Sequence, residues 1–275
     1  MSRPHSPPRA NASPTLSPTI RQTMQALHRT TPIWVAVILA ASATAARGQG
    51  TTTPPAPASP DSAHLQADIG AVNTSGNTSV TTVNASDAFT IWRGANTFGQ
   101  TFGVVYGTLS DRVQTNLWTA GVRDQYSFTK VIGLFALVGF DRNSFAGIDR
   151  RFEEGAGVAI TAIHAPRDQL EIDLGVSYIE QRSTTALEDD HASGRGSFDY
   201  RHTFGKNEYF EQTLEGIPDF KQSSDYRINS QSSLVAPLSK HFAVKVGYAV
   251  RYANLPPPGF KTTDRLFTTD LQVGF

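Results

Sequence analysis

The 275 residues contain no cysteine, which excludes a disulfide framework and any thiolate metal site. Charge of either sign is not in excess, since 24 Lys and Arg balance 24 Asp and Glu. A neutral chain lacks the electrostatic footprint of a nucleic-acid binder, so no nucleic acid is expected as a partner. Charged residues make up 17% of the chain, against about a quarter in ordinary soluble domains. Apolar runs are short, and mean hydropathy is −0.28, which excludes a bundle of membrane-spanning helices. Gly-x-Gly-x-x-Gly, the P-loop and Gly-x-Ser-x-Gly are all missing, and no spacing of His, Asp and Glu matches a metal centre. No cofactor and no metal are therefore expected.

What is present points to strands. Glycine (22) and phenylalanine (16) are plentiful, as are Thr and Ser, a composition for sheets and turns. The longest apolar run, Ile33 to Ala41, follows His28 and Arg29 and leads to an Ala-x-Ala ending at Ala45. That is the anatomy of a secretory signal peptide, and the run is too short to span a bilayer as a helix. Residues 1–45 are read as leader and signal, with Met24 a candidate for the true start. Residues 46–63, rich in Thr and Pro, cannot bury enough apolar surface to fold and read as a flexible linker.

From residue 64 to 275 alternating stretches follow one another, broken by turn residues. The period of two predicts strands over 64–74, 78–92, 98–109, 113–127, 131–142, 150–164, 168–182, 192–204, 207–216, 225–237, 241–253 and 263–275. These are long. Soluble strands average five or six residues, whereas a tilted membrane strand needs roughly nine to eleven. Connections alternate between tight and longer. The expectation is all-β, an antiparallel transmembrane β-barrel of about twelve strands, with both chain ends on the periplasmic side and the longer loops outside the cell.

Parity then sorts the side chains. Phe242, Val244, Val246, Tyr248, Val250 and Tyr252 share one face, and Ala243, Lys245, Gly247, Ala249 and Arg251 the other. Apolar rows also run through Ile132–Phe140 and Leu170–Tyr178, and Tyr178, Tyr200, Tyr248 and Tyr252 fit interface girdles. The opposite parity is expected to line the lumen, with Glu171, Asp173, Arg195, Asp199, Arg201, Lys245, Arg251 and Asp270 paired across neighbouring strands. Twelve strands lie between filled and open barrels, so both a conducting pore and a plugged barrel stay open. In the last strand Phe267, Leu271, Val273 and the terminal Phe275 occupy one face. This pattern resembles the C-terminal assembly signal of bacterial outer-membrane barrels, and implies the barrel assembly machinery, outer-membrane lipid and lipopolysaccharide as partners.

Four stretches carry a more specific resemblance: Ser75-Gly76-Asn77-Thr78, Phe145 to Arg151, Asp225 to Ser230, and Pro256 to Asp264. In order and spacing they resemble the bacterial domain-of-unknown-function family often labelled salt-induced outer membrane protein, over about residues 64–275. The resemblance implies an outer-membrane barrel and supplies no catalytic residues.

The expected role is therefore non-enzymatic: envelope integrity or passive passage of small solutes or ions, linked to salt or osmotic stress through the family label. A rim hydrolase is the first rival. It would rest on Asp189-Asp190-His191, the compact acid/base cluster, expected in an external loop where a general base could act on water. The second rival is a soluble periplasmic lipocalin-like binder, with the same apolar rows turned inward.

Overall fold

A computed structural model describes residues 61–75, 81–109, 112–185, 187–205 and 208–274. The leader, Met24, the linker up to residue 60 and Phe275 lie outside the described residues.

Among those residues twelve strands form the wall: β1 (Asp61–Ser75), β2 (Thr81–Arg93), β3 (Asn96–Leu109), β4 (Arg112–Ser127), β5 (Ile132–Asn143), β6 (Ile148–His164), β7 (Asp168–Ser183), β8 (Glu188–Thr203), β9 (Tyr209–Pro218), β10 (Tyr226–Pro237), β11 (Phe242–Ala253) and β12 (Thr263–Gly274). Each pairs antiparallel with its sequence neighbours, and β1 closes on β12 with Ile69 opposite Leu271 and Gly70 opposite Asp270. Closure leaves no unpaired edge, the condition for strands to sit in lipid, where an unsatisfied backbone group has no water to turn to. Gly70 makes the seam possible. A Cβ there would collide with the Thr269 carbonyl and the Asp270 carboxylate.

Parity is realised as inside and outside. Along β12, Asp264, Leu266, Asp270 and Gln272 are buried while Phe267 and Leu271 are exposed. The outer wall carries Ile69, Leu134, Leu174, Val176, Phe242 and Leu234, each more than 45% exposed. Left in water, each would forgo about 1.5–3 kcal/mol of burial, so a continuous belt of them marks a lipid contact rather than a soluble surface. This arrangement inverts the lipocalin-like alternative, which needs those side chains inside. No helix among the described residues is long and apolar enough to cross a membrane, and the crossing is made by strands.

The two rims differ. At the rim where β1 begins and β12 ends, connectors are short: 94–95, 128–131, 165–167, 204–208 and 238–241. Aromatics collect there, with Tyr126 edge-on to Phe128 at 5.0 Å and His202 edge-on to Phe204 at 4.8 Å. The opposite rim, here the loop rim, has long connectors at 219–225 and 254–262, and Tyr226 meets Tyr252 beneath them at 5.9 Å. The connectors 144–147 and 184–187 are shorter than the sequence led us to expect, because β6 and β8 continue above the apolar belt. Their outward residues there, such as Arg150, Glu188 and Asp190, are charged.

Two strand starts also correct the sequence reading. β1 begins at Asp61, inside the stretch read as linker, because Asp61, Ser62 and Ala63 pair with Arg93, Trp92 and Ile91. β8 begins at Glu188 rather than 192, with Asp190 opposite Glu180 and His191 opposite Ile179. Backbone pairing with β7 outweighs the polar side chains that suggested a loop.

Candidate functional site: a charged barrel interior

The inner wall is held by charge. Arg123 on β4 reaches past β5 and β6 to Asp173 on β7, with Nη2 donating to Oδ1 at 3.0 Å, and also meets Glu171 at 3.3 Å. Its guanidinium lies 4.3 Å from the centre of the Phe135 ring. Arg195 on β8 bridges Glu153 on β6, at 2.8 Å, and Glu215 on β9. Arg201 Nε donates to Glu211 at 2.9 Å, and its guanidinium stacks over Tyr209 at 4.3 Å. Near the seam Lys245 meets Asp68 at 3.1 Å, skipping β12, and Asn84 donates to Asp270 at 2.9 Å, skipping β1. Asp199 accepts from the Thr213 hydroxyl at 2.7 Å.

The pairing reaches furthest at Asp141 on β5. It holds Arg151 of the adjacent strand at 3.4 Å and Arg251 of β11 at 3.6 Å. β5 and β11 are six strands apart in a ring of twelve, so this contact crosses the bore between opposite walls.

All eight charged residues singled out by parity thus face the interior. Their partners Asp68, Arg123, Asp141, Glu153, Glu211 and Glu215 were not singled out. For Glu153 the reason is visible, because Glu154 follows it directly and charge cannot say which of the two turns inward. The strand pairs left as expected neighbours are often not neighbours: many partners lie two or more strands apart, as side chains can meet across a narrow closed bore.

The interior is not wholly polar. Phe135, Leu137 and Ala159 form one buried apolar cluster. A second, of Val72, Val105, Leu117, Phe145 and Leu266, has Ala249 against it and sits toward the loop rim. Phe145 belongs to a short 3-10 turn, Ser144–Ala146, which Asn143 caps by accepting from the Ala146 N–H at 3.3 Å. The turn folds inward so that Phe145 is 4% exposed. Phe260, from the 254–262 connector, lays its ring against Gly147 just after the turn. Gly147, with φ of +75°, leaves the room, since a Cβ there would meet the ring at 2.6 Å.

Beneath these loops lies a cavity of about 70 Å³ bounded by Arg151, Arg227, Arg251, His191 and Asp219, with space for a few water molecules. Asp225, in the connector above it, has its carboxyl pKa raised, first by burial and then by Asp219 and Asp189, against Arg227 and His191.

The Asp189-Asp190-His191 cluster is rearranged by its place in β8. Asp190 faces outward, whereas Asp189 and His191 face inward, with His191 8% exposed. Alternation therefore separates Asp190 from His191. Asp219, from 28 positions along the chain, joins Asp189 and His191 instead. No sequence spacing could have found it, because the 219–225 connector brings it back.

A closed antiparallel cylinder with an apolar exterior, girdled rims and a charged interior is an outer-membrane-type β-barrel. Residues 67–275 match the family described as "Protein of unknown function, DUF481", and the chain belongs to that family. It is 26% identical over 203 residues to "Uncharacterized protein YdiY" of Escherichia coli (strain K12), covering 73% of this chain and 78% of that protein. Among solved structures it is similar to the NanC porin, with a TM-score of 0.53 at 7% identity, covering 75% of this chain and 98% of that one. The KdgM porin is similar at a TM-score of 0.46 and 15% identity, covering 76% and 99%. The likeness to NanC is one of fold, a closed antiparallel barrel, and the apolar exterior is that of a barrel lodged in a membrane.

Proposed function

We propose that this barrel is a non-enzymatic outer-membrane protein whose filled bore serves envelope integrity and passes, at most, water and small ions. The observation that carries the reading is the set of ion pairs crossing the lumen, with Asp141–Arg251 joining opposite walls and the apolar cluster around Phe145 stacked toward one mouth. A solute would have to part several buried pairs and displace packed side chains together, and a charge left buried without its partner is strongly unfavourable. Of the cluster on which the hydrolase alternative rests, Asp190 stands on the opposite face of β8 from Asp189 and His191, so the three do not converge. Outer-membrane lipid and lipopolysaccharide are the proposed surroundings, and the barrel assembly machinery the proposed partner during insertion through Phe267, Leu271, Val273 and Phe275. The salt or osmotic link rests on the family resemblance, and growth of a deletion strain in rising NaCl checks it.

Planar-bilayer recording of the refolded chain tests the main reading. Wild type is expected to give no porin-sized current steps, and Phe145→Ala with Asp141→Ser is expected to give them. Sustained open-channel steps from wild type would replace the filled barrel with a porin.

A further inference from the structure

The inner face of β8 carries Asp189 and His191 at the loop rim, and the connector after β9 lays Asp219 beside them. One ligand atom from each residue, a carboxylate oxygen or a ring nitrogen, lies within 4.8 Å of the other two. Two features set this group apart from an ordinary acidic rim. First, both His191 and Asp219 are more than nine-tenths buried, at 8% and 6% exposed. Second, His191 Nδ1 is buried and makes no hydrogen bond, although Asp189 Oδ2 is 2.9 Å away. The two atoms are close, but not in hydrogen-bond geometry. A buried nitrogen that makes no hydrogen bond is costly, and a lone pair facing a carboxylate is repelled unless a cation, a proton or a metal ion, lies between them.

Lys221 steadies both carboxylates. Its backbone N–H donates to Asp219 Oδ1 at 2.6 Å and its Nζ reaches Asp189 Oδ1 at 3.3 Å. That side chain is 66% exposed, so a bound ion can displace its ammonium to water at little cost.

We propose that Asp189, His191 and Asp219 bind one divalent first-row transition cation, of the Zn²⁺ class, at the loop rim. Calcium and magnesium take oxygen ligands, whereas an imidazole nitrogen with carboxylates selects Zn²⁺ and its neighbours. Three protein ligands leave a fourth position for water. A tetrahedral site with bonds of about 2.0–2.2 Å sets its ligand atoms roughly 3.4 Å apart. The present spread therefore closes by about an ångström of side-chain movement, which Asp189, 40% exposed, is free to make. Binding would fasten the 219–225 connector to β8 across the mouth. The site stands whether or not the bore conducts.

The test is titration calorimetry with ZnCl₂ on the untagged full chain, refolded in detergent and freed of metal by a chelator. One Zn²⁺ per barrel is expected, with excess Mg²⁺ or Ca²⁺ not competing. His191→Ala and Asp219→Asn should each weaken binding at least tenfold, while keeping the heat-modifiable gel mobility of a closed barrel. Should either variant fail to fold, Asp189→Asn carries the test, because that side chain is 40% exposed and the change is isosteric. The proposal is overturned by the absence of saturable one-to-one binding, by variants that bind as tightly as wild type, or by Ca²⁺ that competes with Zn²⁺.

Discussion

The outer and inner faces of the same strands obey different rules. Outside, Ile69, Leu174, Val176 and Phe267 need only be apolar, because lipid adapts to any greasy shape and their contributions add residue by residue. Inside, Arg123, Asp173, Arg195 and Glu153 need one another, because each charge buried without its partner is costly while the pair together is nearly neutral. The outer wall is therefore tolerant in shape and strict in polarity. The inner wall is strict in partnership and, if both members change together, tolerant in polarity.

The sharpest way to break this contrast is on the inside. Asp173→Ala removes the main partner of Arg123 and is expected to destabilise the barrel by about 3–5 kcal/mol, read by urea unfolding in detergent. Arg123→Met combined with the same Asp173→Ala should restore much of that loss, giving a large coupling in the double-mutant cycle. Additive effects of the two substitutions would mean that the lumen is not organised by pairs. On the outside, Leu174→Arg places a charge against lipid and should cost about 2–4 kcal/mol near the midplane, while Leu174→Phe changes stability little. Equal effects of Arg and Phe there would move Leu174 out of the membrane belt. The smallest effect is expected at the loop rim, where Arg142 and Asp149 pair at 3.5 Å but are 47% and 41% exposed. Arg142→Ala should cost less than about 1 kcal/mol, and added salt should erase the difference.

Much of this was legible along the chain. Alternation in β7, β11 and β12 assigns every side chain to a face, because one face meets lipid and the other does not. It says less where both faces are apolar. In β5, Phe135 and Leu137 alternate with Leu134, Ala136 and Val138, and the inward pair packs with Ala159 inside the barrel. Parity is also mute at Glu153-Glu154. Asp189-Asp190-His191 looked like a loop by composition, yet β8 takes it up because pairing with β7 satisfies the backbone there. The interior network was legible as a list of charges but not as a set of pairs.

The chain by itself determined a membrane barrel of about twelve strands and the sidedness of most of its residues, since a period of two together with strand length is a local property that lipid reads directly. Which charges meet, how Phe145 and Phe260 turn in toward the mouth, and how Asp219 comes to His191 were decided only in three dimensions. Those contacts join residues far apart in sequence across a bore, and it is closure of the cylinder that sets the distances between them.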